Sequence, residues 1–128
     1  MKAKLIWQCA ITAAALIGTA AFAAAAEPQK EDAAFSAKLF TSIENSDYDA
    51  FVADGTSAFK GITKEQFEAV CVQLAPKLKA GHTVSFIVEL KQHGFRVTIW
   101  KVSFVDGSDD ALATLSVKDG KVGGFWIK

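Results

Sequence analysis

The sequence predicts an α+β domain in which three N-terminal helices are followed by a four-stranded antiparallel sheet. Three observations lead there. Apolar residues recur with the helical period of 3.6 up to Gly81 and with period two from there onward. Capping residues precede the helical stretches, and Gly-containing turns separate the alternating ones. The chain has 128 residues, 51% of them hydrophobic, which suits one core and one domain.

Residues 1–26 read as a secretory signal peptide. Lys2 and Lys4 form a positive end, Leu5 to Ala26 carries no charge, and Ala24-Ala25-Ala26 supplies the small residues cleaved before Glu27. A transmembrane anchor is the competing reading, but the run is mostly Ala and only weakly hydrophobic. Cys9 leaves with the signal. Residues 27–31, with Pro28, read as a flexible leader to a single domain over residues 32–128. The implied location is secreted or periplasmic, with no membrane contact after cleavage.

Asp32 is placed to cap the first helix, whose Phe35, Leu39 and Ile43 recur at four-residue spacing and which runs to about Glu44. Asn45 breaks it. Ser46, Asp47 and Asp49 start a short second helix with Tyr48, Phe51 and Val52 on one face, closed by Gly55. The third has Thr63 as N-cap, Gln66 to return the hydrogen bond, and Ile62 to clasp Phe67. Phe67, Val70, Cys71, Leu74 and Leu78 follow on one face until Gly81 ends it. Strands are expected over Thr83 to Leu90, Arg96 to Val105, Ala111 to Val117 and Val122 to Ile127. Asp119-Gly120 fits a type I′ turn that pairs Val117 with Val122.

Turn lengths fix which side chains share a face. One face is expected to hold Trp100, Val102, Phe104, Ala111, Ala113, Leu115, Val117, Val122 and Trp126. If Gln92-His93-Gly94 is a three-residue loop, Val84, Phe86, Val88 and Leu90 join it, with Arg96 and Thr98 at the rim. A two-residue loop is the rejected alternative, because it brings Glu89 and Lys91 to that face. The other face then holds Ile87, Val97, Ile99, Leu112, Phe125 and Ile127 among charged and hydroxyl side chains, a pattern that suits a two-fold homodimer across the sheets. Gly123-Gly124 permits a sharply curved last strand.

Three helices followed by such a sheet resemble the nuclear transport factor 2-like fold, also called cystatin-like α+β. Asn45-Ser46-Asp47-Tyr48-Asp49 looks like the junction after that superfamily's first helix. Ile62-Thr63-Lys64-Glu65-Gln66-Phe67, together with the ending Leu115 to Phe125, looks like its small secreted members of unknown function. The resemblance covers about Asp32 to Lys128. It implies helices packed on the concave face of a curved sheet, a conical pocket between them, and frequently a dimer through the sheet. It also implies that isomerases and dehydratases occur among the relatives. These motifs are capping and turn chemistry, so they speak to fold rather than activity.

The chemistry legible in the chain is sparse. Lys+Arg and Asp+Glu both number 14, and no basic stripe supports nucleic-acid binding. Cys71 is expected to be an inert core thiol. His82 and His93 lie at opposite ends of one strand and cannot share a metal, so neither metal nor cofactor is expected. The pocket candidates are Tyr48, Arg96 and Thr98 for an anionic or hydroxyl-bearing ligand, and Trp100 and Trp126 for stacking. The expected function is non-enzymatic binding of a small apolar or amphipathic ligand or a protein partner. One alternative is a pocket enzyme of isomerase or dehydratase type, using Tyr48 with Asp47 or Asp49. Another is a secreted inhibitor or interaction module that binds through the edge strand Thr83 to Leu90.

Overall fold

In the computed structural model, residues 27–128 are described, and the signal-peptide reading of residues 1–26 lies outside them. Helix α1 spans Lys30–Glu44, α2 Tyr48–Val52, α3 Ser57–Lys60 and α4 Lys64–Ala80. Strands β1 (His82–Gln92), β2 (Phe95–Phe104), β3 (Ala111–Lys118) and β4 (Lys121–Ile127) form one antiparallel sheet in sequence order.

Local chemistry accounts for the boundaries. Thr63 and Gln66 form the reciprocal capping box of α4, at 3.1 and 2.9 Å. The end of α1 is a Schellman arrangement: Asp47 N–H donates to the Ser42 carbonyl and Ser46 N–H to the Ile43 carbonyl, with Ser46 at φ 54°. Asn45 is thus the C-cap, and the left-handed residue that follows it is Ser46. Helix α1 also starts earlier than expected, so Lys30 and Glu31 belong to its first turn and not to a leader. Asp32 lies inside that turn instead of capping it. The short α3 was not expected; Thr56 caps it by accepting from Phe59 N–H.

The helices bury Leu39, Phe40, Ile43, Phe51, Phe59, Phe67, Cys71 and Leu78 against Trp100, Val102, Ala113, Leu115, Val117 and Val122 of the sheet. Phe51 stands among the rings of Phe67, Phe59 and Phe125, at centroid distances of 4.8, 5.2 and 6.3 Å. Asp54 to Thr56 run beside β4, with Val122 N–H donating to the Asp54 carbonyl and Thr56 N–H to the Val122 carbonyl.

Register departs from the expected faces at two points, and each has a cause. The β1–β2 turn is the two-residue type: His93 and Gly94 both have positive φ, 52° and 80°, and Gln92 pairs with Phe95. Glu89 and Lys91 consequently pair with Thr98 and Arg96 on the helix side. A bulge between Phe86 and Val88 then restores Phe86 and Val84 to the core, while Val88 and Leu90 turn outward. A second irregularity, between Ser116 and Val117, absorbs one extra residue of β4. Leu115 therefore pairs with Phe125 and Ala113 with Ile127, so Phe125 and Ile127 pack inward, whereas Trp126 pairs with Thr114 and points outward. The expected places of Trp126, Val88 and Leu90 on the core face, and of Phe125 and Ile127 on the outer face, are corrected accordingly. Both glycines of β4 lie under aromatic rings. A Cβ on Gly123 would fall 2.4 Å from the Phe95 ring, and one on Gly124 would fall 2.2 Å from the Trp126 ring.

Candidate functional site

Four of the five residues expected to line a shared pocket are held by hydrogen bonds within the fold. Tyr48 Oη donates to the Ile62 carbonyl at 2.6 Å, which pins α2 to the start of α4. Trp100 Nε1 donates to Thr98 Oγ1 at 2.8 Å, and both side chains are buried. Arg96 donates from Nε and an Nη to the two carboxylate oxygens of Asp32, at 2.7 and 2.8 Å, and from the same Nη to Glu31 at 2.7 Å. Hydrogen bonding to Asp32 first, and to Glu31 after it, holds the guanidinium above its ordinary range. Arg96 is thus a latch on the start of α1 rather than a free anion binder. This pairing was missed because the two partners are 64 residues apart and Asp32 also reads as a helix cap. Gln29 adds to the latch by donating to Glu89 at 3.1 Å, which gives the inward-turned carboxylate a partner.

A different space is open. Between α2, α4 and the end of β4 lies a cavity of about 320 Å³, lined by Ile43, Phe51, Ile62, Gln66, Phe67, Val70, Phe125, Trp126 and Ile127. None of its lining residues is ionisable. Val70 and Ile127 also border a second depression of about 500 Å³, whose apolar floor is Leu74 and Phe104 and whose rim carries Gln73, Lys77, Asp109 and Asp110. The two lie side by side along α4, with Val70 and Ile127 bordering both. Their geometry depends on the β4 irregularity, which turns Phe125 and Ile127 toward them. Val70 is 45% exposed at the junction, a large apolar side chain beside a concave apolar surface. Of the five pocket candidates, only Trp126 borders this space.

The outer sheet face carries Ile87, Val88, Leu90, Leu112 and Trp126 exposed, with Val97 and Ile99 between them. Lys101 on that face lies 3.6 Å from Asp110.

Asp47 and Asp49, the carboxylates considered for acid–base work, sit at the start of α2, where Asp47 Oδ1 accepts from Ala50 N–H at 3.1 Å. Cys71 is 5% exposed; burial pushes its thiol up, against a smaller opposing hydrogen bond with Ser46. Asp106, in the β2–β3 turn, accepts from the hydroxyl and N–H of Ser108, which holds its carboxyl below the usual range. Among the described residues, no group of three or more His, Cys, Asp or Glu could hold a metal ion. No helix among them is long and apolar enough to cross a membrane. No protein-family model matches the chain, and no curated protein matches it.

Proposed function

We propose that this chain is a secreted, non-enzymatic binding domain of nuclear transport factor 2-like fold, which takes a small apolar or amphipathic ligand in the groove along α4. The observation that carries this reading is the inner cavity: six apolar side chains of the core cluster line it with Val70 and Trp126, and Gln66 is its one amide side chain. Such a lining favours an alkyl or aryl body, and the mixed charges at the outer end favour a polar head. The order of elements supports the fold family, and the charge pattern of residues 1–26 supports export.

The enzymatic alternative loses support from the hydrogen bonds of its named residues. Tyr48 gives its proton to the Ile62 carbonyl and Asp47 caps α2, so neither faces a shared cavity as a donor–base pair. The edge-strand alternative loses support from the bulge at Ile87, which interrupts the ladder an added peptide strand would extend. For the outer sheet face we propose a second copy of the chain, because a two-fold contact matches one apolar stripe against itself.

Ligand binding is tested with dansyl-labelled undecanoic acid. Saturable binding is expected, weakened at least about tenfold by Val70→Trp, which closes the junction of the two depressions from an already exposed helical position. Absent binding, or binding indifferent to that substitution, overturns the reading.

A further inference from the structure

The groove along α4 is bounded on its far side by the backbone of β4. Three consecutive residues of that strand, Phe125, Trp126 and Ile127, line the inner cavity, although their side chains alternate in direction. A lining of that kind is a strand edge rather than one face of the sheet. β4 is last in the sheet order, so one of its two edges has no neighbouring strand.

Hydrogen-bond parity identifies the groups on that edge. Lys128 and Leu112 exchange both backbone bonds, at 2.9 and 3.1 Å. Bonded pairs recur at every second residue of an antiparallel ladder, which makes Trp126 with Thr114, and Gly124 with Ser116, the next two. The N–H and C=O groups of Phe125 and Ile127 therefore point away from β3. Among the described residues, no backbone bond reaches those four groups. The same edge is already paired close by: Val122 N–H donates to the Asp54 carbonyl at 2.9 Å, and Thr56 N–H donates to the Val122 carbonyl at 2.8 Å. Residues 54–56 thus hold the place of a fifth strand beside Val122, and the chain leaves it at Ser57 to form α3. Alongside Phe125 to Ile127 that place is the cavity itself. No bulge interrupts β4 there, in contrast to the opposite edge of the sheet at Ile87.

We propose that the groove along α4 binds an extended apolar peptide segment of a partner protein as a fifth strand, antiparallel to β4. This rests on the reading of that groove as the binding site and names its ligand. An antiparallel segment of three residues meets all four groups, with two exchanged bonds at Ile127 and two at Phe125. Opposed residues share a face, so its first and third side chains turn inward with Ile127 and Phe125, and the middle one lies outward beside Trp126. The side chain opposite Phe125 enters the inner cavity toward Phe67 and Val70, and the one opposite Ile127 meets Leu74 in the neighbouring depression. Two apolar residues two positions apart are the recognised pattern. An alkyl chain in the same groove leaves the four backbone groups to water.

The probe is fluorescein-labelled Lys-Thr-Val-Thr-Phe-Thr-Lys amide, followed by fluorescence anisotropy, with amide hydrogen exchange of the complex read by NMR. Saturable binding is expected. An analogue methylated on the Val and Phe nitrogens keeps both side chains and removes the donors to the Ile127 and Phe125 carbonyls, and is expected to bind at least about tenfold more weakly. The Phe125 and Ile127 amides are expected to exchange at least about tenfold more slowly in the peptide complex, and at an unchanged rate with dansyl-labelled undecanoic acid. Absent peptide binding, equal affinity of the methylated analogue, or unslowed exchange at those two amides overturns the proposal. Undecanoic acid bound without the peptide overturns this proposal and leaves the groove as a ligand site; neither bound overturns both.

Discussion

The Asp32 carboxylate is 0% exposed and receives two charge-assisted hydrogen bonds from Arg96, so its burial is tolerable only while that guanidinium is in place. Arg96→Met is expected to destabilise the protein by about 3 kcal/mol in urea unfolding, because it strands a buried charge. Asp32→Leu in the same chain should recover part of that loss. The raised guanidinium stays charged across all working pH, so the latch does not open by losing that proton. Cys71 behaves differently. Burial raises its thiol in the folded state, so the unfolded thiol ionises first as pH rises. Its contribution is complete below about pH 8.5 and is lost above that. The stability difference between wild type and Cys71→Ala should therefore shrink from about pH 8 to pH 10 in urea unfolding under reducing conditions.

At the scale of elements, glycines decide how closely segments approach. Gly55 bridges to Val122, and a Cβ there would fall 2.5 Å from the ring of Phe59, which is 3% exposed and held by the core. Gly124 meets the Trp126 ring at a shorter distance, but that ring is 55% exposed and free to swing off the strand. Gly55→Ala is thus expected to cost about 2 kcal/mol, and Gly124→Ala under about 1 kcal/mol with a clear change in Trp126 fluorescence. Thermal melts and emission spectra of the two variants check the contrast. The same bulged strand explains the register: aromatic rings over both glycines fill the outer face where β4 has no side chains.

For the whole molecule, the sheet separates two surfaces of different surroundings. Its inner side is consumed by the helices and the grooves beside them; its outer side leaves a stripe of Val88, Leu90, Ile99, Leu112 and Trp126. Ile99→Glu, in the middle of that stripe, is expected to convert a dimer to a monomer in light scattering while leaving undecanoate binding intact. A wild-type monomer at high micromolar concentration would sink the proposed pairing. Loss of ligand binding in the same variant would instead show that the two surfaces are coupled through β4.

The local signals carried the elements. Thr63 with Gln66, Asp119-Gly120 and the change of period at Gly81 each act over a few residues, so helix α4, the last hairpin and the four-stranded meander are legible in the sequence. Val117 opposite Val122 follows from the turn alone. Faces were less accessible, because a parity argument propagates only until a bulge, and one extra residue in β1 or β4 exchanges every side chain beyond it. That exchange brought Phe125 and Ile127 to the α4 groove and sent Trp126 outward. The Asp32–Arg96 pair was invisible for a related reason. It joins residues that are distant in sequence, and only packing of α1 against the sheet brings their charges within bonding distance. The sequence alone determined the order of the long elements and the ends marked by a cap or a turn, through short-range hydrogen bonding and periodicity, while tertiary structure decided the start of α1, the short α3 and which polar groups are spent on the fold.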